Sequence, residues 1–253
     1  MWRSIQSIKY PQTLQEAFML QSDDTILFSG GSYLVAEQSS AVKTLIDINH
    51  LLDNSIHVEM DFIRIGAKAT LQEFIDKITP LNPESKLLKG IRSSCPSKNI
   101  RNQRTFGGEL GQNRANSEVM VFLHAIGANI SITTKEDLKI PLRDWDGKGI
   151  VTEIIYFPGQ VDDVELLRYS VIPSAPAIVI VCVVRRNNRL EIAIGGLCNK
   201  TQNFSLNVNN WNPQSVAHIA QNAIKYFQDD YLGSMEYKTS LITTALLRGG
   251  NVG

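Results

Sequence analysis

Two glycine-containing stretches carry the residues best suited to chemistry in this sequence. The first is "SGGSYL" (29–34) and the second is "TFGGELGQNRANSE" (105–118). Because glycine lacks a Cβ atom, a ligand can approach main-chain N–H groups closely at such positions, and Ser29 and Ser32 add hydroxyl donors suited to phosphate oxygens. Neither stretch matches the P-loop or the G-x-G-x-x-G fingerprint, so neither is diagnostic by itself.

Each stretch also has a simpler interpretation. A Gly-Gly pair after a strand is most often an ordinary turn, and 105–118 is also typical of a glycine bulge followed by a helix that Ser117 caps. Two such stretches in one chain are more informative, because a dinucleotide's pyrophosphate can be gripped from both sides, and Glu118 can accept from ribose hydroxyls. On this interpretation, valine at Gly30 or Gly107 abolishes binding and leaves the fold largely intact.

Hydrophobic periodicity and capping residues indicate the elements that position these stretches. A strand–helix–strand order near the start favours a small parallel unit, and an "NN" turn predicts a hairpin near residue 187. Predicted strands lie before residue 11 and within 25–35, 43–49, 62–66, 128–132, 149–158 and 177–197. Predicted helices lie within 11–22, 70–78, 86–96, 118–127, 213–227 and 234–250, the first capped by Thr13, the second by Thr70.

Composition limits the classes of function that fit the chain. Of the 253 residues, 43% are hydrophobic, and the 25 Lys and Arg balance the 25 Asp and Glu. This neutrality gives no electrostatic case for nucleic acid or an anionic membrane as the main partner. The three cysteines are scattered, and the N-terminus lacks an apolar signal region, so we expect no metal site and a cytoplasmic location.

Four segments, in order and spacing, resemble the FAD-binding (medium) subunit of the molybdenum hydroxylases, the family of xanthine dehydrogenase and carbon monoxide dehydrogenase. The segments are "ILFSGGSYL", "DFIRIGAKATLQEF", "IRNQRTFGGELG" and "GSMEYKTSLITTALL", and the resemblance extends from about residue 5 to residue 248. The most specific piece is "IRN" followed shortly by "T-x-GG".

The resemblance implies an α+β fold in three parts. Two α/β subdomains of the vanillyl-alcohol-oxidase type, about 1–52 and 53–160, form a FAD-binding domain (1–160) with FAD between them. Residues 161–253 form a C-terminal α+β subdomain with an antiparallel sheet and helices. Electrons from two [2Fe–2S] clusters on a small subunit, fed by a molybdenum cofactor on a large subunit, reach FAD here and pass to NAD or another acceptor. A heterotrimeric oxidoreductase is therefore expected.

The resemblance also assigns residues to the FAD site. The pyrophosphate loop corresponds to Leu27, Phe28, Ser29, Gly30, Gly31, Ser32, Tyr33 and Leu34. The opposite side corresponds to Thr105, Phe106, Gly107, Gly108 and Glu109. Glu118 stands where the family usually has Asp, Val151 where an apolar residue flanks the flavin ring, and either Arg168 or Tyr169 falls near a family lysine.

Three departures from the family pattern leave an alternative open. The family's GGTDL is "GGSYL" here, with Tyr33 replacing an acidic residue; its GGN is "GGE", with Glu109 replacing an amide; and "GQNRANS" replaces its small-residue stretch. An unpaired carboxylate at 109 repels a pyrophosphate unless it points away or pairs with Arg101 or Arg104. The alternative is a flavin-free scaffold subunit of the same complex. A self-contained flavin oxidase ranks last, because it usually needs a larger substrate domain.

Overall fold

A computed structural model describes residues 2–157, 161–173 and 175–250. The strands are β1 (Ser7–Lys9), β2 (Thr25–Phe28), β3 (Thr44–Asp47), β4 (Ile56–Val58), β5 (Ile63–Gly66), β6 (Asn129–Thr133), β7 (Asp137–Pro141), β8 (Ile150–Tyr156), β9 (Asp163–Tyr169), β10 (Val179–Arg186), β11 (Arg189–Gly196) and β12 (Gln202–Asn207). The helices are α1 (Leu14–Met19), α2 (Leu34–Glu37), α3 (Leu71–Ile78), α4 (Lys86–Ser94), α5 (Lys98–Arg101), α6 (Phe106–Gly111), α7 (Glu118–Ala125), α8 (Pro213–Ala223) and α9 (Met235–Gly249). One parallel and two antiparallel sheets confirm the α+β class.

The first sheet is small and parallel, as the strand–helix–strand pattern predicts. Its strand order is β1-β3-β2. The hydroxyl of Thr13 accepts a hydrogen bond from the Glu16 amide and starts α1. The buried core beneath the sheet consists of Ala17, Ile46, Ile48 and Ile150. Ile150 belongs to β8, so the second sheet contributes to this core.

The second sheet is antiparallel, with strand order β4-β5-β8-β6-β7. Both helix starts predicted around it are confirmed. Thr70 and Glu73 form a reciprocal capping box at α3, and the Ser117 hydroxyl accepts from the Met120 amide at α7. The sequence interpretation missed β7, whose residues are mostly exposed and lack an apolar alternation.

The third sheet is antiparallel, with strand order β12-β11-β10-β9. The predicted hairpin is confirmed as β10–β11, with Asn187 at its turn in a left-handed conformation (φ 49°). Strands β9 and β12 extend the predicted pair to four. Among the residues that the structure describes, no helix is long and apolar enough to cross a membrane.

The apolar run in β10 is explained by burial on both faces of the third sheet. Ile180, Cys182 and Val184 join the main core, which includes the buried sides of α4 and α7. The alternate residues Val179 and Val181 pack instead into a second core with α8 and α9. Side chains of a strand alternate between faces, so a strand covered on both sides needs apolar residues at every position. This sheet therefore joins the C-terminal helices to the rest of the chain.

His124, in the last turn of α7, makes the stability of this core sensitive to acid. Burial lowers the pKa of His124 from 6.5 to about 4. Between those pH values the unfolded chain binds more protons than the folded chain, so stability is complete above about pH 6.5 and declines as the pH falls toward 4. We expect His124→Gln to remove up to about 3 kcal/mol of this decline.

Urea unfolding of both proteins at pH 7 and pH 4.5 measures the difference. His57→Gln, at an exposed histidine, serves as the matched control. An equal loss of stability in the unaltered chain and in His124→Gln would show that His124 does not contribute.

Candidate functional site

The first glycine pair makes a sharp turn at the end of β2. Gly30 and Gly31 both have positive φ, +81° and +69°. Nothing lies within 4 Å of the position where a Cβ of Gly30 would stand, so this side of the turn is open. A Cβ on Gly31 would lie 2.1 Å from the ring of Phe28. Both positions therefore require glycine, Gly30 for backbone conformation and Gly31 for conformation and space.

The turn leaves a row of main-chain N–H groups without acceptors. None of the five amides of residues 30–34 donates a hydrogen bond to another described residue. Successive free N–H groups in a turn form a concave anion site, because their dipoles point to a common region. The hydroxyl of Ser29 lies 3.4 Å from the side-chain oxygen of Asn49. This stretch therefore has the donors that a phosphate or pyrophosphate needs.

The second glycine pair differs from the sequence expectation. It lies inside the short helix α6, and its amides are already bonded within the chain. The amide of Gly107 donates to the Ala67 carbonyl (2.7 Å), and the amide of Gly108 donates to the Thr105 hydroxyl (3.0 Å). The amides of Phe106 and Glu109 are bonded in the same way. A pyrophosphate gripped by backbone amides on both sides is therefore not what this geometry offers.

Gly107 serves close packing. A Cβ there would lie 2.7 Å from the Ala67 Cβ and 2.8 Å from the Ala67 carbonyl oxygen. The expectation that valine at Gly107 leaves the fold intact is therefore wrong, since the chain entering α3 would have to move. The contact holds the start of α6 against the turn between β5 and α3.

Glu109 is buried and neutralised by its neighbours. One carboxylate oxygen lies 3.4 Å from Nε of Arg104, and the other accepts a hydrogen bond of 2.6 Å from the Ser117 hydroxyl. The pairing with Arg104 suggested by the sequence is therefore confirmed. Arg101 is engaged elsewhere, donating to Gln72 and to the carbonyl of Cys95.

Glu118 is paired as well. Its carboxylate accepts a hydrogen bond of 2.5 Å from Nε of Arg168 in β9. Tyr169, the next residue, packs in the core formed with α8 and α9, on the opposite face of the sheet. Of the two residues that the sequence left open, Arg168 is therefore the one beside Glu118.

Four of the residues predicted to contact FAD lie in hydrophobic cores or at a helix start. Phe106 and Val151 are 1% and 5% exposed and belong to the main core, with Phe106 edge-on to Phe74. Leu27 packs on the core of the first sheet, and Leu34 begins α2. The role of these side chains at a cofactor remains a prediction.

Arg114 is the site residue that the sequence interpretation missed. Its guanidinium carbon lies 4.0 Å above the centre of the Tyr33 ring, so it connects the segment after α6 to the first glycine turn. It also lines a cavity of about 360 Å³ that the segments 196–199 and 226–230 help to form. The arginine in "GQNRANS" could have suggested a cation near phosphate, but only the fold shows which loop it reaches.

The three cysteines do not provide nucleophiles near these loops. Burial raises the pKa of the Cys95 and Cys182 thiols, and that of Cys198 to about 12. All three therefore stay protonated at neutral pH, and the reactive form of cysteine is the thiolate. The chemistry of this site depends on what the loops bind.

Replacing Gly107 by alanine tests the packing role of the second glycine pair. We expect Gly107→Ala to destabilise the fold by about 1–3 kcal/mol, because the new methyl group overlaps Ala67. Gly111→Ala is the matched control, since the same helix has open space around Gly111. Thermal unfolding compares the two, and equal stability of both variants would contradict the packing argument.

Solved structures of related architecture cover nearly the whole chain. Carbon monoxide dehydrogenase from Hydrogenophaga pseudoflava, in a form lacking the Mo-pyranopterin moiety of its cofactor, superimposes with a TM-score of 0.75 at 18% identity, covering 98% of this chain and 96% of that chain. Quinoline 2-oxidoreductase from Pseudomonas putida 86 superimposes with a TM-score of 0.71 at 18% sequence identity, and the match covers 96% of each chain. Reconstituted CO dehydrogenase from Oligotropha carboxidovorans superimposes with a TM-score of 0.67 at 19% sequence identity, and the match covers 97% of this chain and 96% of that chain. At these identities the likeness establishes the fold.

The family model describes function more directly. No curated protein matches the sequence. Residues 4–155 match the family described as "FAD binding domain in molybdopterin dehydrogenase". The match covers more than half of the chain and contains both glycine stretches and the free amides between Gly30 and Leu34. This chain therefore belongs to the FAD-binding domain family of the molybdopterin dehydrogenases.

Proposed function

We propose that this chain is the electron-transfer flavoprotein subunit of a multi-subunit molybdenum hydroxylase. Electrons reach FAD from iron–sulfur clusters on a partner subunit and leave to NAD or another acceptor. FAD, when bound, supplies the electron exchange, in steps of one or two electrons. The residues of this chain bind and orient it. The proposed division places the FAD-binding domain at 1–160 and a C-terminal domain at 161–253.

The row of free amides at residues 30–34 carries this proposal. A dinucleotide presents a doubly charged pyrophosphate, and these five successive N–H groups have no hydrogen-bond acceptor among the described residues. The open side of Gly30 lets the phosphate approach the main chain. We assign residues 105–109 to the other side of the site, where the carboxylates of Glu109 and Glu118 are held by Arg104 and Arg168.

The pairing of Glu109 bears on the flavin-free alternative. That alternative rests on repulsion between a free carboxylate and the pyrophosphate. With Arg104 at 3.4 Å and the Ser117 hydroxyl at 2.6 Å, the carboxylate carries no uncompensated charge toward the loop. The replacement of the family's amide by Glu109 therefore gives no electrostatic reason to expect loss of FAD.

Partner subunits are proposed from what this chain cannot supply. A [2Fe–2S] cluster takes four ligands, usually cysteines, whereas the chain has three cysteines, two of them fully buried. Among the residues that the structure describes, no group of three His, Cys, Asp or Glu side chains could hold a metal ion. We therefore assign the clusters to a small subunit and the molybdenum cofactor to a large subunit.

Direct binding tests the cofactor assignment. We expect the purified chain, incubated with excess FAD and desalted, to retain about one equivalent of flavin by visible absorbance. We expect acid precipitation to release all of it, because no histidine or cysteine is placed by a family motif for covalent attachment. Protein that stays colourless would contradict the proposal, and flavin in the acid pellet would contradict noncovalent binding.

A paired variant locates the bound FAD. Gly30→Val introduces a branched side chain at positive φ on the open side of the amide row, and we expect it to abolish flavin retention. Gly111→Ala is the control, since it lies outside this turn. Wild-type retention by Gly30→Val would show that the first turn does not bind the pyrophosphate.

Glu109→Gln tests whether the carboxylate is a phosphate ligand. We expect FAD affinity equal to that of the unaltered chain or higher, because the amide can donate and removes a negative charge. We also expect stability to fall by about 1 kcal/mol, since the bond from Ser117 loses its charged acceptor. Flavin fluorescence titration at two salt concentrations measures the affinity. A tenfold or larger loss would mean that the carboxylate itself is required.

A further inference from the structure

Tyr33, in the first glycine turn, and Arg114, in the segment "GQNRANS", touch each other in the fold. The Arg114 guanidinium carbon lies 4.0 Å above the centre of the Tyr33 ring. The ring face of Tyr33 holds the guanidinium by a cation–π contact and, because the ring carries no net negative charge, does not neutralise it.

Arg114 also lacks the partners that its neighbours have. Its Nε is buried without a hydrogen-bond partner, and within the described residues no carboxylate forms an ion pair with it. Arg104 and Arg168, by contrast, are paired with Glu109 and Glu118. The Nε atoms of Arg64 and Arg186 are also buried without a partner, and what distinguishes Arg114 is its position on Tyr33 of the first glycine turn. A buried donor without an acceptor costs stability, and an anion bound at that turn would supply the acceptor.

The acidic residues beside Arg114 are already engaged. Asp229 and Asp230 line the same cavity of about 360 Å³. Asp230 is bound by Lys238 at 2.7 Å, and Asp229 accepts from the amide of Met235 at 2.5 Å. Arg114 lines this cavity as well, and among the described residues no carboxylate lies within ion-pair distance of its guanidinium.

We propose that Arg114 is the cation that binds the diphosphate of the dinucleotide, and that Tyr33 is its positioning residue. The inference rests on the proposed function, since it names the residue that completes the same site. The amides of residues 30–34 donate from the main chain, and the guanidinium adds full charge and further donors from the segment after α6. A planar guanidinium stacked on an aromatic ring keeps its edge free for phosphate oxygens.

Equilibrium titration with FAD, followed by flavin fluorescence at several ionic strengths, tests this. We expect Arg114→Met to weaken FAD binding about 10- to 100-fold, the range for a lost hydrogen bond to a charged group. The FAD affinity of Arg114→Met should decrease less steeply with ionic strength than that of the unaltered chain, because one interaction between a positive charge and the diphosphate has been removed. Arg114→Lys keeps the positive charge but loses the planar guanidinium with its several N–H donors. Its FAD affinity should lie between those of the unaltered chain and Arg114→Met. Arg92→Met, at an exposed position of α4, removes one positive charge elsewhere and should bind as the unaltered chain does.

Variants at Tyr33 separate positioning from direct binding. Tyr33→Phe keeps the ring and should retain wild-type affinity, whereas Tyr33→Leu removes the stack and should weaken binding. Circular dichroism checks that each variant is folded, and the lysine and Tyr33 variants carry the test if Arg114→Met does not fold.

The outcomes distinguish the two proposals. Suppose that the unaltered chain binds FAD and that both Arg114→Met and Arg114→Lys bind FAD with the same affinity. The proposed role of Arg114 is then wrong, and the flavoprotein assignment stands. Tighter binding by Arg114→Met would show that the Arg114–Tyr33 pair obstructs the cleft, which also overturns the inference. No FAD binding by the unaltered chain would overturn both.

Discussion

The contact between α6 and the turn before α3 is the constraint on which the site depends. Three main-chain hydrogen bonds join residues 104–107 to residues 67–71, and Gly107 allows the two backbones to approach. Glu109, Arg114 and Glu118 all follow this junction within a dozen residues. The glycine pair that looks like a ligand loop in the sequence therefore fixes where the ligand-facing side chains lie.

Charge pairing then determines which groups remain available. Glu109 and Glu118 are each satisfied by an arginine, so acidic residues close to a proposed diphosphate site do not oppose it. Among the described residues of the site, the groups without a protein partner include the main-chain N–H groups at 30–34 and Nε of Arg114, and both can donate to an anion. Donors free of protein acceptors on neighbouring segments are what an anion site requires.

Local rules predicted the elements that depend on neighbours in sequence. Capping residues located the starts of α1, α3 and α7, and the Asn-Asn turn located the β10–β11 hairpin. Strands β7 and β12 were missed because partly exposed polar strands carry little periodic signal. The pairing of Arg114 with Tyr33, and of the Gly107 amide with Ala67, could not be predicted, since both depend on contacts between distant segments. The role of the second glycine pair was misjudged for the same reason.

The small core of the parallel sheet has a consequence for how the molecule opens. Among the described residues, the buried core cluster under β1, β2 and β3 has four members, and one of them, Ile150, belongs to β8. The third sheet is enclosed on both faces. Local unfolding costs least free energy where few apolar contacts are lost, so we expect the amide hydrogens of the parallel sheet to exchange faster than those of the other two sheets. A dinucleotide held at the end of β2 raises the free energy of that opening, and occupancy of the site is thereby coupled to protease resistance of the N-terminal region.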